Sequence, residues 1–293
     1  MKIALFSEYD NLITIDCIRE VIDYCQNKKH DFALIESMGP YFENKNSPVQ
    51  LFSAEKLLSK EFDVLFSFGG DGTLLRSIAV VRDSEIPILG INTGHLGFLT
   101  SLKKEELLNG LDLFFAEKFK LIRRSLLALE TENKIDSLAQ LPFALNEITL
   151  SRKNTTSMLS IQTTVNEEPL TTYWADGLII ATPTGSTGYS LSSGGPILTP
   201  GTASWVLNPI APHNINMRPL IISDKAQLKI NVSSRAKEFL VSLDSRLYSV
   251  SQDNTLYIKK APFMVNTVEL EGHFFFKTLR EKLFWGQDTR NTQ

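Results

Sequence analysis

The sequence predicts an α/β N-terminal domain with a parallel sheet, then a mostly β C-terminal domain, and a closing helix that returns to the first domain. Three observations lead there. The run Phe62 to Phe68 is apolar almost throughout and ends in Gly69-Gly70, the pattern of a strand buried on both faces of a parallel sheet. From Phe119 onward the texture changes to short runs rich in Ile, Val, Thr and Leu, too numerous and too closely spaced for further βαβ units. Near the end, Phe276, Leu279, Arg280, Leu283 and Phe284 restore helical spacing. The implied division is 1–100, 101–265 and 266–293.

Each element follows from local pattern. Lys2 to Phe6 is a short apolar strand, Thr14 to Lys28 a helix and Phe32 to Ile35 a second strand. Tyr41 to Gln50 is a polar loop with Pro48, and Ala54 to Ser59 a short helix. After the Phe62 to Phe68 strand, Leu74, Leu75, Ile78 and Ala79 recur at helical spacing, and Ile86 to Leu89 is the next strand. The later strands are Phe119 to Leu129, Phe143 to Leu150, Met158 to Val165, Gly177 to Ala181, Ser204 to Leu207, Ala226 to Val232, Glu238 to Leu243, Thr255 to Lys260 and Phe263 to Leu270. Asp288 to Gln293 is expected to fray.

Composition narrows the function. At 293 residues the chain has room for about two domains. With 43% apolar and 22% charged residues it is not a disordered chain. Thirty basic against 33 acidic residues leave a net charge of -3, so the broad positive field that drives non-specific nucleic-acid binding is missing. Cys17 and Cys25 form neither a CxxC pair nor a disulfide framework. Met1 to Phe6 turns polar at Ser7-Glu8, too soon for a signal peptide, and no run of about 18 apolar residues occurs. A cytoplasmic protein with no membrane partner is expected.

Three segments carry the chemistry. In Gly69-Gly70-Asp71-Gly72-Thr73, the glycines turn the chain sharply off a buried strand, and the helix starting near Thr73 directs its amide N–H groups toward a phosphate. Asp71 sits where it either takes a proton or holds a divalent metal, or else merely caps the helix. The glycines do not form Gly-x-Gly-x-x-Gly, because Leu75 stands at the third position, and no Gly-x-x-x-x-Gly-Lys-Ser/Thr loop exists. Gly90-Ile91-Asn92-Thr93-Gly94-His95-Leu96-Gly97-Phe98-Leu99 leaves a strand of the same layer, either as a structural turn or as a second wall of one crevice. The stretch Asp176 to Gly195 is crowded with hydroxyls and glycines: Thr184, Ser186, Thr187, Ser190, Ser192 and Ser193 are neutral donors suited to ribose or phosphate, and Tyr189 offers a ring face to a base. Asn146-Glu147 interrupts an apolar strand. It is an exposed strand pair unless the strand bends there, in which case Asn146 suits an adenine edge and Glu147 a ribose.

Together these segments resemble the NAD kinase family, which phosphorylates the adenosine ribose 2′-hydroxyl of NAD to give NADP. Pro212-His213, Arg218-Pro219, Asp244-Ser245 and Leu279-Arg280-Glu281-Lys282-Leu283 before Trp285 also match, so the resemblance runs from about Phe62 to Trp285. Gly-Gly-Asp-Gly-Thr alone is shared with diacylglycerol, sphingosine and phosphofructokinase-type kinases, whereas Thr182-Pro183-Thr184-Gly185-Ser186-Thr187 with Asn146-Glu147 upstream is far more specific.

The resemblance implies that Asp71 is the general base and that Gly69, Gly70, Gly72 and Thr73 receive the phosphates of ATP, with Arg76 nearby. It implies adenine contact by Asn146 and ribose contact by Glu147. Asp176, Thr184, Thr187, Gly188, Tyr189, Ser190, Leu191, Ser192, Ala211 and Arg246 line the dinucleotide pocket, and Phe98 packs beside the dinucleotide. A divalent cation, Mg²⁺ above all, is implied as cofactor, as is a homodimer or homotetramer with Asp176 on the shared side. Four positions depart from the family pattern. Gly188 replaces Ala and leaves a methyl-sized gap, Arg246 replaces Gln, Trp174 stands at a frequently basic position, and Phe6-Ser7-Glu8 lacks a basic residue. The rival readings are a lipid or sugar kinase sharing only the Gly-Gly-Asp-Gly-Thr loop, and a non-catalytic NAD(P) sensor.

Overall fold

The computed structural model describes residues 1–42, 49–57, 59–94, 97–154 and 157–284. The expectations for His95, for Trp285, for most of the 41–50 loop and for the tail from Asp288 lie outside the described residues. The chain divides into two units, one of Met1–Arg123 with the segment that begins at Val265, the other of Arg124–Met264.

The first unit opens with β1 (Lys2–Phe6), α1 (Leu12–Lys28), β2 (Asp31–Ile35), β3 (Leu51–Phe52) and β4 (Val64–Gly69). It continues with α2 (Asp71–Val81), β5 (Ile88–Asn92), β6 (Leu102–Lys103) and α3 (Leu107–Phe115). Asn11 caps α1 by accepting from Thr14 N at 2.9 Å, and Lys29 ends it in the left-handed conformation. Every residue of β4 is buried, as its unbroken apolar run requires. The sheet runs β3-β2-β1-β4-β5, and each of these neighbours is parallel. The chain therefore reverses its direction of travel between β1 and β4. In open α/β sheets ligands bind outside the carboxyl ends of the strands at such a switch point, and β4 delivers residues 69–73 there. Ser7 Oγ ties the two strand ends together by donating to Phe68 O at 3.0 Å.

The 101–118 stretch, given no element by its pattern, contains α3, and the first unit runs on to Arg123 instead of changing near residue 100. Leu107, Leu111 and Phe114 face inward at helical spacing, and Phe114 packs edge-on to Phe66 of β4.

The second unit is β-rich. β7 (Phe119–Thr131) enters it, followed by a short α4 (Asp136–Ala139), β8 (Phe143–Ala144), β9 (Glu147–Arg152), β10 (Leu159–Val165), β11 (Glu168–Ala175) and β12 (Gly177–Ala181). A single helical turn, α5 (Tyr189–Ser192), precedes β13 (Ser204–Ile210), β14 (Leu220–Ser223), β15 (Leu228–Ser233), β16 (Glu238–Leu243), β17 (Arg246–Ser251) and β18 (Leu256–Leu270). One antiparallel sheet runs β14-β13-β12-β9-β16-β17. A second antiparallel set joins β11, β10, β15 and the first residues of β18. Between them lies one apolar core that includes Ile148, Ile161, Leu178, Trp205, Ile230 and Phe239. Two expected strands at 255–260 and 263–270 are one strand, β18: Pro262 removes a donor but does not stop an extended chain. Its last residues belong to the first unit, where Thr267 pairs with Ile88.

The closing helix α6 (Phe275–Leu283) belongs to the first unit, as its pattern predicts. Glu281 pairs with Lys103 at 3.5 Å. Among the described residues no helix is long and apolar enough to cross a membrane.

Candidate active site

In the first unit, Gly69 holds φ +149°, and a Cβ there would lie 2.1 Å from Thr73 Oγ1. Only glycine permits the turn from β4 into α2. The helix begins at Asp71, earlier than expected, and its N-cap is Gly70, which makes no side-chain cap bond. Asp71 is therefore not the cap. Its Oδ2 accepts from Phe98 N at 2.7 Å, and its Oδ1 accepts from Leu99 N at 3.0 Å and Thr100 N at 3.2 Å. The two glycine-rich segments meet because β4 and β5 are parallel neighbours, with Gly69 in register with Asn92. Arg76, one turn into α2, pairs through Nε with Glu8 and lies 5.0 Å from the centre of the Tyr9 ring. Phe98 is half-buried, with Lys282 Nζ of α6 4.6 Å from its ring centre.

In the second unit, the run 143–150 breaks at Leu145 and Asn146, so the polar pair does stand at a bend. A two-residue hairpin turn between β16 and β17 fixes that bend. Asp244 takes φ +53° in it, a conformation that aspartate tolerates better than most residues. Its Oδ2 accepts from Leu145 N at 3.0 Å, while Oδ1 accepts from Asn146 N at 2.8 Å and Glu147 N at 3.3 Å. The hydroxyl-rich loop lies on the same bend. Thr182 N donates to Asn146 O at 2.9 Å, and a Cβ on Gly185 would lie 2.0 Å from that same carbonyl oxygen. Tyr189 N donates to the Glu147 carboxyl group.

Glu147 is buried, and burial, followed by the nearby Asp244 charge, pushes its carboxyl up to about 8. At neutral pH it keeps its proton and offers a donor as well as an acceptor, rather than acceptors alone. Burial also raises Asp244, against its three amide donors and the Arg246 charge. Among the described residues, Asn146 Oδ1 and Glu147 Oε2 are buried without a hydrogen-bond partner. Such atoms are destabilising until a ligand or water meets them.

The remaining expected residues fall into two groups. Thr184, Thr187, Gly188, Tyr189, Ser190, Leu191 and Ser192 are consecutive or nearly so on the loop beside Glu147. Thr184 Oγ1 accepts from Arg124 at 3.2 Å, Ser190 is held by Asn208, and Tyr189 is exposed. Asp176 lies instead on the β11–β12 connection, paired with Arg152 at 2.9 Å. Ala211 is exposed with φ +43°. Arg246 donates to the carbonyl oxygens of Leu141 and Phe143, and its charge is directed into its own unit's backbone. Trp174 is exposed. Gly188 leaves no empty gap: a Cβ there would lie 3.1 Å from Glu147 Oε2 and 3.2 Å from Gly185 O, because the carboxyl group fills the space. Sequence reasoning missed the roles of Asp244, Gly97 and residues 98–100. The one local signal was an unexplained glycine before Phe98.

Residues 23–119 match the ATP-NAD kinase N-terminal domain and residues 145–270 the ATP-NAD kinase C-terminal domain. The chain is 48% identical to the NAD kinase of Flavobacterium psychrophilum, over 99% of this chain and 100% of that one. It is 45% identical to the NAD kinase of Christiangramia forsetii, with the same coverage. An NAD kinase from Archaeoglobus fulgidus, solved in complex with ATP, superposes with a TM-score of 0.74 at 25% identity, covering 96% of this chain and 99% of that one. Yeast NADH kinase complexed with NADH shares the fold, with a TM-score of 0.87 at 24% identity over 100% of this chain and 90% of that one.

Proposed function

The chain belongs to the NAD kinase family, transferring the γ-phosphate of ATP to the 2′-hydroxyl of the adenosine ribose of NAD, and we propose that Asp71 is its general base. The observation that carries this assignment is the Asp71 carboxylate itself, fixed at the glycine turn with two amides on Oδ1 and, among the described residues, one on Oδ2. A carboxylate oxygen accepts about two hydrogen bonds, so Oδ2 retains a place for the substrate hydroxyl. As that hydroxyl attacks the γ-phosphorus, Asp71 receives its proton, and the first-turn amides of α2 face the phosphate charge.

Asn146 and Glu147 are proposed to hold the adenosine, since their two buried, partnerless oxygens require hydrogen bonds that the described residues do not supply. Thr184, Thr187, Gly188, Tyr189, Ser190, Leu191 and Ser192 are proposed as the wall of the same pocket. Asp176, Ala211 and Arg246 are proposed to contribute to dinucleotide binding, and Phe98 to pack beside the dinucleotide. Arg76 is proposed to contact the donor phosphates.

Among the described residues no three His, Cys, Asp or Glu side chains gather into a metal cage. Mg²⁺ is proposed to enter on the ATP phosphates, a mode of binding that needs only one or two protein carboxylates. The ion then counts as part of the substrate and neutralises phosphate charge. We further propose a homodimer or homotetramer, consistent with the exposed Trp174, Leu220 and Ile221, and a cytoplasmic location, consistent with the free, buried Cys17 and Cys25.

The test is incubation of purified protein with NAD, ATP and Mg²⁺ and detection of NADP, in parallel with Asp71→Asn. The variant is expected to bind NAD but to lose at least about 10²-fold in kcat. An unchanged kcat removes Asp71 from the chemistry, and phosphorylation of diacylglycerol in preference to NAD overturns the assignment of substrate.

A further inference from the structure

The close approach of residues 97–100 to Asp71 has an unusual steric condition. An ideal Cβ built on Gly97 would lie 1.7 Å from Asp71 Oδ1, 2.3 Å from Cγ and 2.6 Å from Oδ2. The whole carboxylate occupies the space of one methyl group. Glycine leaves this room open, whereas at Gly69 a φ of +149° already excludes a side chain.

A buried side chain secures the same segment. Asn92, the last residue of β5, donates through Nδ2 to Thr100 Oγ1 at 2.9 Å and accepts at Oδ1 from Gly94 N at 2.8 Å. It thus ties Thr100, one of the three amide donors to Asp71, and Gly94 to the end of β5. Thr100 Oγ1 also reaches Asp71 Oδ1, at 3.4 Å.

Resting on the reading of Asp71 as the base, we infer that Gly97 and Asn92 are positioning residues for catalysis. Gly97 opens the space into which the carboxylate settles, Asn92 fixes the three amides that orient it, and together they leave Oδ2 directed to the substrate hydroxyl. Misplacement of a reacting group by about 1 Å lowers rate far more than binding. Acting through the carboxylate, each should matter only while it is present.

The experiment is a pair of double-mutant cycles, Gly97→Ala with Asp71→Asn and Asn92→Ala with Asp71→Asn, in which kcat, KM for NAD and thermal midpoint are measured with Mg-ATP and NAD. Gly97→Ala is expected to lower kcat by about tenfold or more while KM for NAD changes by less than about threefold. In the Asp71→Asn background the same substitution should change the residual kcat by less than about twofold. A merely structural role predicts equal losses in both backgrounds, and that result, or an unchanged kcat in Gly97→Ala, overturns the inference. Asn92→Ala introduces no clash and covers the case in which Gly97→Ala does not fold. It should show the same non-additivity with a smaller loss, about three- to tenfold, and additive losses there overturn the inference equally. If Asp71→Asn alone leaves kcat intact, the base assignment falls and takes this one with it. If Asp71→Asn is impaired and the losses add, only the positioning role falls.

Discussion

Replacing Glu147 by glutamine should flatten the pH dependence of this protein's stability across the neutral range. In the unfolded chain a glutamate titrates at its ordinary value near 4.5, whereas in the folded protein burial and Asp244 move Glu147 up to about 8. Between those values the folded state binds one proton more than the unfolded state. Stability from this group is therefore fully present below the ordinary value and is lost as pH rises through about 8. The slope of a single such group is about 1.4 kcal/mol per pH unit. For a chain of this size 1 kcal/mol moves the thermal midpoint by about 2–4 °C, so the wild-type midpoint should fall by roughly 3–6 °C per pH unit from this source. Glutamine keeps the shape and carries no titrating proton. Scanning calorimetry of both proteins from about pH 5 to pH 9 at constant ionic strength measures the difference curve. Parallel midpoints across that range would refute the argument, since they would mean that Glu147 is already ionised at neutral pH.

Other consequences can be checked with the same material. Asp244→Asn keeps one acceptor oxygen but turns its NH2 against at least one of the three backbone N–H groups, and it should destabilise the second unit by about 1–3 kcal/mol while raising KM for NAD more than it lowers kcat; denaturant melts and steady-state kinetics measure both effects. Gly69→Ala forces a side chain into φ +149° and against Thr73, and a loss of stability of at least about 1–3 kcal/mol is expected in the same melts. Glu8 occupies the Arg76 guanidinium, so Glu8→Gln should lower KM for ATP by about two- to threefold, as for a partly exposed ion pair released to a phosphate; a raised KM would mean that Glu8 orients Arg76 for the donor.

The parallel sheet was legible because β4 is apolar along its whole length, and α1 because its inward positions repeat at helical spacing. The longer strands that were not expected, β11, β14 and β17, carry exposed apolar residues such as Leu170, Ile221 and Leu247, and all three close the edges of their sheets. An edge strand has fewer neighbours to select its sequence. At the site, the local cues pointed to Asp71, to Asn146-Glu147 and to the hydroxyl-rich loop. What holds these residues was hidden, since the donors to Asp71 lie 27 to 29 residues away and those to Asp244 97 to 99 away. Contacts of that range leave no periodicity, and they use backbone groups that every residue but proline possesses.

Main-chain seats of this kind decouple two kinds of change. Three peptide N–H groups hold Asp71, and no side chain of residues 98–100 except the Thr100 hydroxyl takes part. Under the roles proposed above, the ring of Phe98 can therefore be exchanged to suit a different dinucleotide without disturbing the hydrogen bonds that hold Asp71. Substrate preference can drift at residue 98 while residue 97 stays fixed, and variation among relatives should be permissive at the first position and intolerant at the second.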